Sequence, residues 1–431
     1  MTYAASLQFL YNLQTHGIKL GLDTIEALLG RIGSPHHRYP TLHIGGTNGK
    51  GSTAAMAASM LQAAGYRVGL YTSPHLVDFR ERIRVDGRLM PLEAVVVWTE
   101  RLRAAMGEAL DPTFFEFTTA MAFGYFAEMD VSVAVIEVGM GGRFDATNVL
   151  IPLASAITNV TLDHEAHLGR SVSEIAFEKA GIIKPYVPVV VGRVSQDAWG
   201  VIEKAAVSHT ASISRWGTTF HVTGHPLTGF EYHGMNVSYA DLMCPLPGQH
   251  QLENAGCAMA LFELVSTRGF SMTEQAVHVG LRTVAWEGRL EVVEHDPELI
   301  LDGGHNPAAG AAVAEYLKHY RADHPSARVI LVVGFMRDKD RAGFFNAVLP
   351  VADEVVATHV KMARAARIED IRETLQGWPG HIHSASNSEE ALACARQLAS
   401  PRDLICVTGS LMLVGEIKAL LRGCEVSLLR G

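Results

Sequence analysis

The sequence predicts an α/β protein built from two domains, and three observations carry that prediction. Apolar runs the length of buried strands alternate with helical patterns over most of the chain, as in mostly parallel sheets covered by helices on both faces. A glycine-dense loop, Gly46-Thr47-Asn48-Gly49-Lys50-Gly51-Ser52, follows the first of these runs and precedes a helical segment, the arrangement of a phosphate-loop domain. Around Val284–Arg289 the pattern breaks, and a second, shorter series of Rossmann-like character begins. With 431 residues the chain is too long for one typical core. The boundary is placed at residue 288, giving a larger N-terminal unit over 1–288 and a smaller one over 289–431.

Along the chain, Tyr39–Ile44 reads as the first strand and Thr53–Gly65, rich in Ala and Met, as the helix behind the loop. Val68–Thr72 reads as a strand ending at Ser73-Pro74-His75, because Ser-Pro opens a turn. Thr118–Met129 reads as a helix, and Ile175–Ile183 as a short apolar one. Val131–Ile136 is an apolar run broken only by Ser132, suited to a strand buried on both faces; Ala154–Thr158 and Val187–Val191 are two more strands. Arg215–Tyr239 alternates and carries Gly and Thr, which suggests a short antiparallel extension. Leu252–Thr267 is a helix after the Leu246-Pro247-Gly248 turn. In the second unit, strands are expected at Leu299–Asp302, Val329–Val333, Glu354–Thr358 and Leu404–Thr408.

The loop departs from the G-x-x-x-x-G-K-[ST] form, since Gly51 separates Lys50 from Ser52 and the spacing from Gly46 is shorter. Backbone N–H groups and a helix N-terminus would face phosphate oxygens, Lys50 would add charge, and Ser52 would bring a hydroxyl near a metal. The plain alternative is a glycine-rich turn with a solvated Lys50.

Ligands of open α/β sheets sit at the carboxyl ends of strands, so polar residues there carry the candidate chemistry. Glu137 follows an apolar strand directly and can ligate Mg2+ beside a phosphate loop; the alternative is a helix cap or a pair with Arg143. His164, next to Asp163, can ligate through a neutral imidazole nitrogen or simply hydrogen-bond. Ser73 alone reads as a turn hydroxyl. Lys179 lies among Ala, Gly and Ile, where burial favours its neutral form; otherwise it snorkels and pairs with Glu178 or Glu174. Gly139–Asp145 is a near-match to a dinucleotide fingerprint, with Phe144 where the third glycine belongs. His36-His37 and His305 lack the cysteine or H-E-x-x-H frame of a zinc site. In Asp302–Pro307, Asn306 suits a helix cap and Pro307 a first turn. Gly334–Asp340 and Gly409-Ser410 end two further strands of the second unit.

Composition narrows the classes. Hydrophobic residues at 48% and charged ones at 19% describe a packed globular protein. A net charge of -9 argues against a nucleic-acid partner. Five scattered cysteines without C-x-x-C pairs suit a reducing compartment. No signal-peptide pattern or membrane-length apolar run is present, so a cytoplasmic protein with no membrane partner is expected.

Gly46–Ser52, Ser73–Leu76 with Phe79–Ile83, Phe114–Glu116, Gly141–Asn148, Asp163-His164, Glu178–Ile182, Gly288-Arg289 and Asp302–Asn306 occur in one characteristic order. Together they resemble the folylpolyglutamate synthase and dihydrofolate synthase branch of the Mur ligase superfamily. Gly304 stands where that family usually has Ala, and Met140 where it has Leu. The resemblance implies the Mur ligase fold and a bifunctional ATP-dependent ligase adding L-glutamate to dihydropteroate and to tetrahydrofolate through an acyl phosphate. It implies that ATP is held by Gly46, Thr47, Asn48, Gly49, Lys50, Gly51 and Ser52, with Asn254, Arg289 and Asp302. Two Mg2+ ions would be held by Ser73, Glu137 and His164, with Lys179 carbamylated to serve the second; K+ or another monovalent cation is a further cofactor of the kind. Lys50, His164, Lys179, Asp302 and His305 would be catalytic. His305 and Ser410 would place glutamate, and Phe115, Arg143 and Asp145 fall in segments forming the pterin pocket. The family leans to monomers.

Rival readings are a folylpolyglutamate synthase alone, or a Mur-type peptide ligase with another carboxylate substrate. The 45 residues before Gly46 are too few for the nucleotide-sugar domain of a cell-wall ligase. A nucleotide-binding regulatory module is a rival of another class, against which the polar strand ends of the second unit speak.

Overall fold

The computed structural model describes residues 1–14, 19, 21–271 and 273–426. The first sheet holds β1 (Thr41–Gly45), β2 (Val68–Tyr71), β3 (Ile83–Val85), β4 (Arg88–Leu89), β5 (Val133–Glu137), β6 (Ala154–Ile157), β7 (Val189–Val191) and β8 (Ile213–Arg215). Their spatial order is β4-β3-β2-β5-β1-β6-β7-β8, parallel from β2 to β8 with β3 and β4 antiparallel at one edge. Parallel neighbours need crossovers, supplied by the helices Lys50–Ala63, Phe114–Glu128, Val172–Ala180 and Gln196–Ser208. β1 sits between β5 and β6, and register sets Ile44 beside Glu137 and Gly45 beside Ile157. The carboxyl ends of these three strands are therefore level, and the loop after β1 opens into the crevice they share.

The alternating stretch after β8 does not extend that sheet. It forms a separate antiparallel sheet of β9 (His221–His225), β10 (Gly229–His233) and β11 (Ser238–Leu242), packed against the helix His250–Ser266. Glu263 of that helix is buried and accepts hydrogen bonds from Tyr232 Oη at 3.0 Å, Met235 N at 3.0 Å, and the backbone and side-chain amides of Asn236. One carboxylate thus takes up donors that a buried hairpin end would otherwise leave without partners.

The second sheet holds β12 (Glu291–Glu294), β13 (Glu298–Leu301), β14 (Val329–Val333), β15 (Glu354–Thr358), β16 (His381–Ala385) and β17 (Leu404–Thr408). Its order is β12-β13-β17-β14-β15-β16, parallel except for the edge strand β12. The strands expected at 329–333, 354–358 and 404–408 coincide with β14, β15 and β17. β3, β4, β8, β12 and β16 escape sequence reading: they are short or edge strands, and β12 and β16 carry Glu or His where a core strand would be apolar.

Four helices begin earlier than their apolar patterns: those at Val172 and His250 by three and two residues, and two more whose caps show the reason. The first starts at Lys50, not Thr53, because Gly49 at φ +80° turns the chain at its N-cap; Lys50, Gly51 and Ser52 form its first turn. The second starts at Phe114, not Thr118, where Thr113 and Glu116 form a capping box. Gly51 owes its identity to the linker between the sheets. A Cβ there would lie 2.9 Å from Cζ2 and 3.0 Å from Nε1 of Trp286. The segment after Ser73 is the converse contact. Leu76 and Val77 are buried among Leu413, Val414 and Ile417 of the second unit. Glu81 fixes that segment by accepting from Leu76 N, Val77 N and Asp78 N at 2.8, 3.0 and 2.8 Å.

Glu263→Leu should leave those amides buried without acceptors and cost about 2–3 kcal/mol, read as a lower urea midpoint. Gly51→Ala should lower the thermal midpoint, and adding Trp286→Phe, which removes the colliding atoms, should recover most of the loss. An undiminished midpoint in Gly51→Ala alone would show that the linker yields instead.

Candidate active site

The loop after β1 is bonded to the extension of β6. Thr47 N donates to Asn159 O at 2.9 Å, and Asn48 N to Asn159 Oδ1 at 2.9 Å. Thr158 Oγ1 and Asn159 Nδ2 both donate to Asn48 O, at 2.6 and 3.0 Å. Gly46, at φ +135°, passes so close that a Cβ would stand 2.0 Å from Thr158 Oγ1. Lys50 folds back to donate to Thr47 O at 3.0 Å, and the side chain of Asn254 packs directly on Gly49. Asn254 Nδ2 is held by Gln251 Oε1 at 2.8 Å. The first-turn N–H groups of the helix thus stand behind a loop whose lysine lies across it, the setting of an anion site.

Below the loop lie the other candidates. Glu137 closes β5; its Oε2 accepts from Ser73 N at 2.9 Å, so Ser73 and Glu137 are brought together. Burial pushes the Glu137 carboxyl up, while Lys50, Arg289 and Arg82 pull the other way. Lys179 is 3% exposed and donates to Gly46 O at 2.9 Å. Burial, with Lys50 nearby, lowers its ammonium to about 7, leaving a large neutral fraction at neutral pH. The pairs weighed from the sequence do not form: Glu178 takes Arg143 at 2.7 Å, and Glu174 accepts from Ser171 N at 2.9 Å. Glu137 likewise has no ion pair with Arg143. His164 sits at φ +51°, and burial, with Lys339 beside it, lowers it to about 4, so its imidazole is neutral.

The second unit presents its strand ends across the same crevice. Asp302, buried after β13, accepts from Leu290 N at 2.9 Å and Gly304 N at 2.8 Å, tying the linker to the sheet. Arg289 donates to Gly288 O at 2.9 Å and lies within the fields of Asp302 and Glu137. His305 Nδ1 donates to Gly303 O at 2.9 Å. Asn306 caps the helix Pro307–Asp323, and Ser410 caps Leu411–Arg422 by accepting from Met412 N at 3.1 Å.

Phe115 covers Gly139 and stands 6.0 Å from Tyr71, ring centre to ring centre. Asp145 is buried and already committed: Oδ2 accepts from Met140 N at 2.9 Å, and Oδ1 from the backbone and hydroxyl of Thr147. Arg143 is part-exposed and paired with Glu178, its guanidinium 4.3 Å from the Phe144 ring centre and 4.9 Å from that of Phe177.

Several residues at this crevice are not singled out by sequence reasoning. Asn159 holds the loop, Lys339 reaches it from the second unit, and Arg82 is buried beneath it. Arg82 donates to His75 Nδ1 at 2.9 Å, and burial lowers it to about 10. A fully buried arginine has no signature in a linear pattern. Lys339 falls within the polar strand end Gly334–Asp340, but nothing in the sequence sets it apart from the other charges of that segment.

Among the described residues no three of His, Cys, Asp and Glu cluster as a metal site. The donors present still suit a hard divalent ion that keeps water and phosphate oxygens in its shell: a buried carboxylate at Glu137 and a neutral imidazole at His164.

Residues 44–262 match the Mur ligase middle domain, and residues 288–411 the Mur ligase glutamate ligase domain. The chain is 40% identical to a probable bifunctional folylpolyglutamate synthase/dihydropteroate synthase of Halobacterium salinarum, over 97% of this chain and 51% of that protein. It therefore spans about half the length of that relative. It is 33% identical to the dihydrofolate synthase/folylpolyglutamate synthase of Bacillus subtilis, over 97% of this chain and 99% of that one. Among solved structures, E. coli FolC in complex with DHPP and ADP superposes with a TM-score of 0.89 at 30% identity, covering 98% of both chains. The bifunctional folylpolyglutamate synthase/dihydrofolate synthase of Yersinia pestis with AMPPNP and Mn ion gives 0.87 at 30% identity, covering 98% of both. Two sheets facing one phosphate-type loop, and matches spanning nearly the whole chain, lead to one conclusion: this chain belongs to the folylpolyglutamate synthase/dihydrofolate synthase family of Mur ligases.

Proposed function

We infer that this chain is an ATP-dependent amide ligase joining L-glutamate to dihydropteroate and to tetrahydrofolate. The observation that carries the reading is the two-sided crevice: Lys50, Glu137, His164 and Lys179 line one wall, and His305, Asn306 and Lys339 reach it from the other. A simple hydrolase needs no second wall. A ligase does, because an activated carboxylate must meet an amine away from water. That the E. coli neighbour is a complex with DHPP and ADP supports the substrate class.

The reaction is a displacement followed by an acyl transfer. The substrate carboxylate attacks the γ-phosphorus of ATP, the β–γ bridging oxygen leaves with ADP, and an acyl phosphate forms. The glutamate amine, in its neutral form, then attacks the acyl carbon; the C–N bond forms as the acyl C–O bond breaks, and phosphate leaves with the proton the amine gives up. Both steps gather anions, so Lys50 and the loop N–H groups offset charge at the transferred group. Residues 1–288 bind ATP and the pterin portion, with Phe115, Arg143 and Asp145 shaping the pocket; residues 289–431 present glutamate through His305 and Ser410. Asn254, Arg289 and Asp302 contact the nucleotide.

Mg2+ would be held by Ser73, Glu137 and His164, and supplies Lewis-acid neutralisation of phosphate charge when bound. Lys179, buried and with a large neutral fraction, is a nucleophile for CO2, and a proton passes to water as the carbamate forms; the carbamate would turn a cation into a carboxylate that would serve a second ion. Both halves of the crevice come from one chain, so a monomer suffices. We place it in the cytoplasm.

Glu137→Gln and His164→Ala should each lower ATP-dependent phosphate release by at least about 100-fold with the circular dichroism spectrum unchanged. Near-wild-type turnover in either removes that residue from the site. Lys179→Ala should lose activity and regain part of it with added acetate or formate; an unmodified Lys179 in the mass of the active enzyme counts against the carbamate. Phosphate release should depend on glutamate and on either dihydropteroate or tetrahydrofolate. Failure of both to stimulate it rejects the folate assignment.

A further inference from the structure

One carboxylate joins the two walls. The Asp163 side chain is 8% exposed, and three of its four partners belong to the second unit. Oδ1 accepts from Lys339 Nζ at 2.6 Å, and Oδ2 accepts from Asn306 Nδ2 at 3.1 Å and faces His305 Nε2 at 3.5 Å. The fourth partner is local: Oδ1 also accepts from His164 N at 2.8 Å. The chain continues from Asn306 into the loop, where the Asn48 and Asn306 amides exchange hydrogen bonds at 3.0 and 3.3 Å. Burial works to raise the Asp163 carboxyl, but His305, His164 and Lys339 hold it far below the usual carboxylate range.

Such a group has two states and little between them. A carboxylate and an ammonium this buried are stable when matched in place, and each must be rehydrated once separated. The same oxygen that holds Lys339 holds the backbone of His164, which stands in the left-handed region at φ +51°, a conformation a non-glycine residue keeps only when its surroundings impose it. We propose that Asp163 is a positioning residue that latches the second unit onto the phosphate loop and, through its bond to the His164 backbone, sets that imidazole when the latch is closed. His164 is then correctly aimed only while Lys339, His305 and Asn306 are seated. Domain position and site geometry are read by one carboxylate.

The proposal rests on the ligase reading for its kinetic arm only. Asp163→Asn keeps the shape and one acceptor oxygen while removing the charge and turning the other acceptor into a donor, and Lys339→Met removes the charge from the opposite wall. In the full chain, each variant should show a larger radius of gyration by X-ray scattering than the parent, and the double variant no further increase. Each should raise KM for glutamate about tenfold or more, while the Kd for ATP stays within about twofold. Partial recovery in Asp163→Glu, which restores charge on a longer arm, is expected. Unchanged dimensions and unchanged glutamate KM in Lys339→Met overturn the latch, even should Asp163→Asn fail to fold. Additive effects in the double variant also overturn it. If the parent protein consumes no glutamate, the ligase reading fails, and the scattering comparison still decides the latch.

Discussion

The short contact between Gly46 and Thr158 organises the rest of this molecule. Because β1 and β6 are hydrogen-bonded neighbours in register, the chain leaving β1 must turn across the end of β6 within van der Waals distance of it. No side chain fits there. The loop therefore lies flat on Thr158 and Asn159, with Asn48 O and the N–H groups of Thr47 and Asn48 answered by theirs. Gly46 O, left pointing inward, becomes the acceptor for Lys179. That bond ties the helix Val172–Ala180, seated by Ile175, Ala176 and Ala180, to the loop, and the same helix carries Glu178, the partner of Arg143.

Electrostatics then explains why so many charges tolerate burial together. Glu137, Lys179, Arg82 and Arg289 would each be costly alone in a site of low dielectric. Here carboxylate and cations share one field, and none is a fully formed ion pair with another. Glu137 is held by a backbone amide, Lys179 by a backbone carbonyl, and Arg82 by an imidazole. Groups arranged in this way keep capacity for an incoming ion or phosphate. A site whose charges were all paired internally would have less to offer one.

How far this was legible in the sequence depends on the range of each interaction. β14, β15 and β17 are plain because a strand buried on both faces must be continuously apolar. The loop is plain because glycine density at a strand–helix junction has few other causes. Glu137 and Asp302 stand out as carboxylates ending apolar runs. The helix Lys50–Ala63 starts three residues before its apolar pattern, since a cap made by a glycine at positive φ leaves no apolar signal. Arg82 and the Lys339–Asp163 contact were invisible for a different reason: 176 residues separate the latter pair, and only the assembled crossovers bring them together. Asp145 shows the limit in the other direction. Its carboxylate is easy to nominate, yet much of its bonding capacity is spent on Met140 and Thr147.

Leu76 and Val77 were met as two apolar residues after a turn, packed among Leu413, Val414 and Ile417. They make the second sheet's hydrophobic interior partly a property of the first unit. Cut at the linker, residues 289–431 would carry an unfilled socket on the face of the helix Leu411–Arg422, and the first unit would expose the matching plug. A chimera that exchanged this C-terminal half for a relative's would have to carry the Ser73–Val77 strap along with it, although more than 200 residues of sequence lie between. The modules visible in the chain order are therefore not the modules that can be moved.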